Sequence, residues 1–222
     1  MHAQSSSNKA ARSLALFSLL ASTASIVVAP AEAFTVDIAA ANPRTIYLQV
    51  GVGAFTANYI SGGQPQNNST INVVSVTVPA AQVGSGVAQI MTTNSTVGAS
   101  FYDGRAFCNA PAQLYIGGYY RRVGGGPGAA TATVRATVPT DLVNASGDTI
   151  PFSQISWTSS GIGDGAAAQP FPAGTFTPGT QVVGTIARNQ WAESCHTFSY
   201  ANSSIVAAGT YTGRVTYTLA AP

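Results

Sequence analysis

The sequence predicts an all-β fold, a sandwich or a barrel, and three observations support this class. Nine short segments are rich in β-branched and aromatic residues, and several alternate polar with apolar positions. Clusters of turn-forming residues separate these segments, and the chain contains 23 Gly and 12 Pro. No segment longer than ten residues has a convincing helical period. Short strands joined by frequent turns are typical of β-sandwiches and barrels.

Residues 1–33 predict a secretory signal peptide that precedes the fold. Lys9 and Arg12 come before an apolar stretch from Leu14 to Ala29, and Ala31-Glu32-Ala33 offers a small-residue cleavage site. The apolar stretch has sixteen residues, several of them Ser or Thr, whereas a membrane span needs about 20 strongly apolar residues. We therefore expect residues 34–222 to be one secreted β-sandwich domain without a transmembrane segment.

The predicted strands follow in order after the cleavage site. Thr45–Val52 alternates strictly, with Tyr47 and Gln49 on one face and four aliphatic residues on the other. A helical turn is expected after a proline, at Ala80–Val83 or Thr140–Val143. The remaining predicted strands are Ile71–Val78, Val87–Thr93, Ala112–Arg122, Thr131–Val138, Ile150–Ser156, Thr180–Ala187, Cys195–Tyr200 and Thr210–Ala220.

Charge is scarce in this chain and excludes several protein classes. Charged residues make up 7% of the sequence, against about 25% in an average soluble domain. A hydrophobic content of 45% argues against a disordered polyelectrolyte. The formal net charge of +2 gives no basic footprint for nucleic acid.

Cys108 and Cys195 are the only cysteines, and an even count in an exported chain predicts a disulfide between them. The alternative is a metal site that uses the adjacent His196. Two cysteines and one histidine do not complete a four-coordinate zinc set, so we expect neither a metal nor another cofactor.

The sequence offers little catalytic chemistry, and we expect the protein not to be an enzyme. His196 is the only imidazole after the signal peptide, so a small hydrolase would have to use it. Successive strand residues face opposite sides, so either Cys195 or His196 is expected to face solvent. Three of the six remaining carboxylates have a neighbouring glycine, which is ordinary turn chemistry. These three are Asp103, Asp148 and Asp164.

Aromatic residues leave a second kind of function open, a secreted monomeric module that binds glycans or surface proteins. Aromatic side chains on a sheet can form a flat platform for a sugar, although in strands they more often fill the space between sheets. The residues considered for such a platform are Tyr115, Tyr119, Tyr120, Trp157, Trp191 and Tyr200.

The last predicted strand carries a pattern of spaced residues, G-x-Y-x-x-x-V-x-Y-x-L. Its members are Gly209, Tyr211, Val215, Tyr217 and Leu219. This pattern resembles the C-terminal strand of bacterial pilin subunits, closest to the spore coat protein U-like and archaic chaperone–usher group. The resemblance implies an incomplete immunoglobulin-like β-sandwich, a role in fimbriae and cell adhesion, and passage through the periplasm to the cell surface. It also implies a periplasmic chaperone, an outer-membrane usher and homologous subunits as partners.

The resemblance also implies an assembly interface made of two segments. In that family an N-terminal donor strand of one subunit fills the groove beside the C-terminal strand of the next. Here alternation places Phe34, Val36, Ile38 and Ala40 on one side of the N-terminal segment, although the same segment could pair within its own domain. The C-terminal strand would contribute Tyr211, Val215, Tyr217 and Leu219. The predicted function is thus a secreted structural subunit that assembles by strand exchange.

Overall fold

The computed structural model describes residues 34–59, 68–124 and 130–222, and this part of the chain is all-β, as predicted. The predicted signal peptide lies outside the described residues. Within the described ranges there is no helix with the length and hydropathy that a membrane span requires. Two short 3₁₀ turns occur, at Ala80–Gln82 and Phe152–Gln154. The strands are β1 (Thr35–Asp37), β2 (Arg44–Val50), β3 (Gly53–Tyr59), β4 (Val74–Ser75), β5 (Gln89–Ile90), β6 (Thr92–Thr93), β7 (Leu114–Arg121), β8 (Thr131–Val138), β9 (Asp141–Val143), β10 (Thr149–Pro151), β11 (Ile155–Ser160), β12 (Gly174–Thr175), β13 (Gly179–Ala187), β14 (Gln190–Tyr200) and β15 (Thr216–Ala220).

The largest sheet is antiparallel and has the strand order β12-β11-β14-β7-β2-β3. Its longest strand, β14, has eleven residues and also pairs with β1 near its beginning and β5 near its end. Hydrogen-bonded neighbours therefore line both edges of β14. This strand is the centre around which the sheet is organised.

A three-stranded sheet with the order β13-β8-β15 faces the large sheet across a common apolar core. β8 alternates cleanly between exposed and buried positions, and Val134 and Ala136 are fully buried. They share the core with Ile46 of β2, Ile116 of β7 and Leu219 of β15. The period-2 pattern of the sequence therefore identified the core-facing side of β8.

Several strands begin or end where the sequence pattern did not predict. β3 was not predicted, and Gly51, with a φ of 54°, forms the tight turn that joins it to β2. Of the predicted strand Ile71–Val78, only β4 is paired, while Val76 and Val78 still pack against the core. Asp141–Val143 is a strand instead of a helical turn, because it pairs with β10. The 3₁₀ turn at Ala80–Gln82 falls where a helical turn was expected.

Candidate assembly site

The N-terminal segment pairs within its own chain. Val36 lies opposite Trp191 in the register of β1 with β14, and the Ile38 amide donates to the Asn189 carbonyl at 2.8 Å. The Phe34 ring lies 5.9 Å from the rings of both Tyr102 and Phe107. The side chains of Phe34, Val36 and Ile38 are half-buried, whereas Ala40 is exposed.

The C-terminal strand is shorter than predicted, because only Thr216–Ala220 pairs with β8. Before it, the chain makes an isolated bridge between Thr212 and Val143, and the Tyr211 hydroxyl donates to the Ala207 carbonyl at 2.9 Å. Leu219 is fully buried. Three further residues are partly buried and pack against the same core, namely Tyr211, Val215 and Tyr217.

The two predicted halves of the interface lie in different sheets. β1 belongs to the large sheet through β14, whereas β15 belongs to the three-stranded sheet through β8. β15 has no strand neighbour other than β8 in the described residues, so one of its edges is open there. Within one subunit, therefore, the N-terminal segment does not fill the position beside the C-terminal strand.

The predicted disulfide is present and joins the loop before β7 to the middle of β14. Cys108 and Cys195 form it with a Cα–Cα distance of 5.5 Å. The loop from 97 to 108 lies over the face of the large sheet that points away from the core. Its Phe107 packs with both half-cystines and with Tyr115 of β7. This outer face is thus covered by the disulfide-anchored loop 97–108, called the stapled loop below, and not by a second sheet.

A buried carboxylate lies under that loop. Glu193 of β14 is fully buried, and its Oε2 accepts hydrogen bonds from the Tyr115 hydroxyl at 2.5 Å and Trp191 Nε1 at 3.0 Å. The opposing residue on β7 is Gly117, where a Cβ atom would overlap the Tyr115 side chain. Burial raises the pKa of Glu193, and hydrogen bonds from Ser100, Tyr115 and Trp191 offset part of that rise.

His196 occupies the opposite, core-facing side of β14. Its Nε2 donates to the Phe171 carbonyl at 3.0 Å, and its ring stacks on Trp157 at a centroid distance of 5.6 Å. Burial lowers the pKa of His196 to about 4. The prediction that either Cys195 or His196 faces solvent is wrong, because both faces of β14 are covered at this point and both residues are buried.

The aromatic residues considered for a sugar platform are divided between the two faces. The inner face holds Tyr120, Trp157 and Tyr200, all buried in the core. On the outer face Tyr119 and Trp191 pack with Tyr47, with ring centroids 5.4 to 5.9 Å apart. Because these rings pack against one another, they do not form a flat row. Among the described residues, the exposed aromatic side chains are instead those of Phe101 and Tyr102 in the stapled loop, with 58% and 46% of their surface accessible.

Glu193 is one of six carboxylates after residue 33, and the sequence pattern did not single it out. Glu193 and Trp191 lie before the predicted strand Cys195–Tyr200, whereas the observed strand β14 begins at Gln190. The spacing of two residues from Glu193 to both Trp191 and Cys195 places the three side chains on one face once the strand is extended to include them. The three candidate turn carboxylates are dispersed: Asp103 pairs with Arg105 at 3.6 Å, Asp148 accepts from Asn144, and Asp164 accepts from Gln169. In the described part of the chain, no cluster of three potential metal ligands occurs.

Comparison with known proteins found no match. Neither a protein-family model, nor a curated protein, nor a solved structure matches this chain. The two assembly segments, the stapled loop and the two buried titratable residues of β14 are therefore the features on which a functional proposal rests.

Proposed function

We propose that the mature chain is a secreted structural subunit of a bacterial surface fibre or coat, and that it assembles by strand exchange. The observation that carries this proposal is the open edge of β15, which pairs with β8 alone among the described residues. An edge strand offers unpaired backbone groups that an extended segment of another chain can complete. Side chains that alternate along β15 would give such pairing a defined register.

The donor in this proposal is the segment 34–41. It is held within its own subunit by the three residue pairs of β1, by the Ile38 amide and by a 2.7 Å bond from Arg121 Nε to the Ala39 carbonyl. A short terminal strand of this kind opens at low cost compared with the core. Its Phe34, Val36 and Ile38 side chains are only half-buried, so moving them to another subunit sacrifices little packing.

The finer features of the proposal come from the resemblance of the C-terminal strand. We expect the two facing sheets to be an immunoglobulin-like sandwich in which the position beside β15 is filled only in the assembled state. A periplasmic chaperone would cover this edge before assembly, and an outer-membrane usher would export the subunits. The proposed role is non-enzymatic, and the burial of His196 against Trp157 supports it because a buried imidazole cannot reach a substrate.

A deletion tests the donor. Without residues 34–41, the mature chain should remain folded and become a monomer in analytical ultracentrifugation, while the intact chain forms oligomers. A synthetic peptide of residues 34–43 should bind the truncated chain. The matched control peptide carries Val36→Asp and Ile38→Asp and should not bind. A truncated chain that builds the same oligomers would contradict the donor role, and one that fails to fold would assign the segment to its own domain.

Two proline variants test the acceptor edge. Successive backbone N–H groups of a strand point to opposite edges, so Thr216→Pro and Tyr217→Pro remove donors from opposite sides of β15. The variant that removes a β8 hydrogen bond should melt at a lower temperature. The other should stay folded, with a smaller fall in melting temperature, and lose oligomers. If the stable variant still forms oligomers as the parent does, the β15 edge is not the acceptor.

A monomeric binding module is a second candidate, and the exposed Phe101 and Tyr102 favour it. Both rings stand on the loop that Cys108 fixes to β14, so a ligand would find them already positioned. Under this alternative the intact chain is a monomer, and it is retained by immobilised glycans or surface proteins. Tyr102→Ala should abolish retention. The control Tyr211→Ala, in the predicted C-terminal assembly segment, should not.

A further inference from the structure

An open cleft with a volume of about 360 Å³ lies beside the two ends of the stapled loop. Residues 93–96, which lead into the loop, and residues 110–111, which follow it, line this cleft. The lining residues are Thr93, Asn94, Ser95, Thr96, Ala110 and Pro111, and none of them is charged. Ligand sites in proteins have volumes of about 300–1,000 Å³, so the cleft suits a small neutral molecule.

Hydrogen bonds and the disulfide hold the walls of the cleft in place. The Thr93 amide donates to the Pro111 carbonyl at 2.8 Å, and this bond joins the two segments. The Thr93 hydroxyl accepts from the Ser95 amide at 3.1 Å, and the Ser95 hydroxyl accepts from the Val97 amide at 3.3 Å. Cys108, just before the second segment, is bonded to β14. A ligand would therefore meet walls that are already positioned, which lowers the entropic cost of binding.

Two exposed side chains of the cleft have hydrogen-bonding groups to offer. Asn94 Oδ1 accepts from the Val73 amide at 2.8 Å, and this bond identifies the other end of the side chain as its NH₂ group. Within the described part of the chain, neither this NH₂ group nor the Thr96 hydroxyl makes a hydrogen bond. Asn94 and Thr96 are both exposed, so a ligand in the cleft can reach these groups without any opening of the fold.

We propose that this cleft binds one pyranose ring of a neutral sugar. The ring hydroxyls accept hydrogen bonds from Asn94 Nδ2 and exchange them with the Thr96 hydroxyl, while the apolar C–H groups of the ring contact Ala110 and Pro111. A site with so few neutral hydrogen bonds has a dissociation constant in the millimolar range. The inference does not depend on whether the chain assembles, and the site does not include the exposed rings of the stapled loop.

Saturation-transfer NMR on the intact chain tests the proposal, because it detects weak binding to monomers and to oligomers alike. Glucose, galactose and mannose are added one at a time, and at least one should receive saturation along a curve that levels off with concentration. Sorbitol has the hydroxyl groups without the ring and should receive much less. The methyl glycoside of the bound sugar separates two sources, since equal binding indicates a sugar unit within a glycan and lost binding indicates a free sugar. No transfer to any of the three sugars, or equal transfer to sorbitol, would overturn the proposal.

Two variants locate the binding site. Asn94→Asp keeps an oxygen for the Val73 amide and removes the NH₂ group, and Thr96→Val removes only a hydroxyl. Each should weaken binding of the sugar by about threefold to tenfold, the loss expected for one neutral hydrogen bond. The control Thr131→Val removes an exposed hydroxyl of β8 and should keep the parental affinity, as should Tyr102→Ala. If Asn94→Asp fails to fold, Thr96→Val decides alone, and parental affinity in Thr96→Val would overturn the proposal.

Discussion

The two faces of β14 are both buried, but by different means. The inner face carries His196, Phe198 and Tyr200, which pack in the core between the two sheets. The outer face carries Trp191, Glu193 and Cys195, which lie beneath a loop that the disulfide holds in place. Burial therefore depends on sheet packing on one face and on a covalent staple on the other.

β14 disfavours the charged form of a titratable side chain on each of its faces. The inner face keeps an imidazole neutral, with a lowered pKa, and the outer face raises the pKa of a carboxyl group. The chain's two tryptophans, Trp157 on the inner face and Trp191 on the outer, report the faces separately. In a Trp157→Phe background the fluorescence reports the outer face, and in a Trp191→Phe background it reports the inner face.

The largest effect is expected from the disulfide. Cys108 and Cys195 are 87 positions apart, so replacing both with serine should cost about 4–5 kcal/mol of unfolding free energy in the chain-entropy treatment. The outer-face tryptophan should change its emission at lower denaturant than the inner one, because the loop loses its attachment. Coincident transitions at a lower midpoint would mean that the two faces unfold as one unit. A melting temperature within about two degrees of the parent would contradict the role of the bond.

The second-largest effect is expected at low pH, from the protonation of His196 on the inner face. Since the pKa of His196 falls to about 4 from its ordinary 6.5, the neutral form stabilises the fold above pH 6.5, and this contribution is lost as the pH falls towards 4. The loss should reach about 3 kcal/mol, because one pKa unit corresponds to about 1.4 kcal/mol. The measurement is unfolding free energy against pH for the parent and His196→Gln. The variant should lack this part of the acid slope, and identical slopes would contradict the assignment.

Packing on the outer face can be tested with Gly117→Ala. The added methyl group overlaps the Tyr115 side chain, and overpacking should cost about 2 kcal/mol. The control is the same substitution in a Tyr115→Leu background, where the overlap is relieved and the cost should be smaller. Equal costs in the two backgrounds would show that overlap with the Tyr115 side chain is not the cause of the destabilisation.

The smallest effect is expected from Glu193→Gln. Because the pKa of this carboxyl is raised, the parent should lose stability as the pH rises from the ordinary value towards the raised one. Glutamine keeps an acceptor for Tyr115 and Trp191 without a titrating group, so the variant should be flat over that range and at least as stable at neutral pH. A parent that becomes more stable over the same range would reverse the sign and refute a raised pKa.

Local pattern was sufficient for the fold class and for much of the secondary structure. The strand Thr131–Val138 has the predicted bounds, and the disulfide is the predicted one, because alternation and an even cysteine count are properties of the chain itself. The assembly segments were found by the same alternation, and their role stays a prediction. Alternation does not identify the strand with which the N-terminal segment pairs, because the same spacing of side chains fits any sheet edge.

Composition and residue pattern were enough to predict an all-β chain that is poor in charge and has one disulfide between Cys108 and Cys195. The three-dimensional packing was needed to show that both faces of β14 are covered and that Glu193 and His196 are buried on opposite faces of this strand. The physical reason is that strand periodicity separates two faces without saying what covers either one. That decision depends on contacts between distant segments, such as the loop fixed at Cys108 and the sheet formed by β13, β8 and β15.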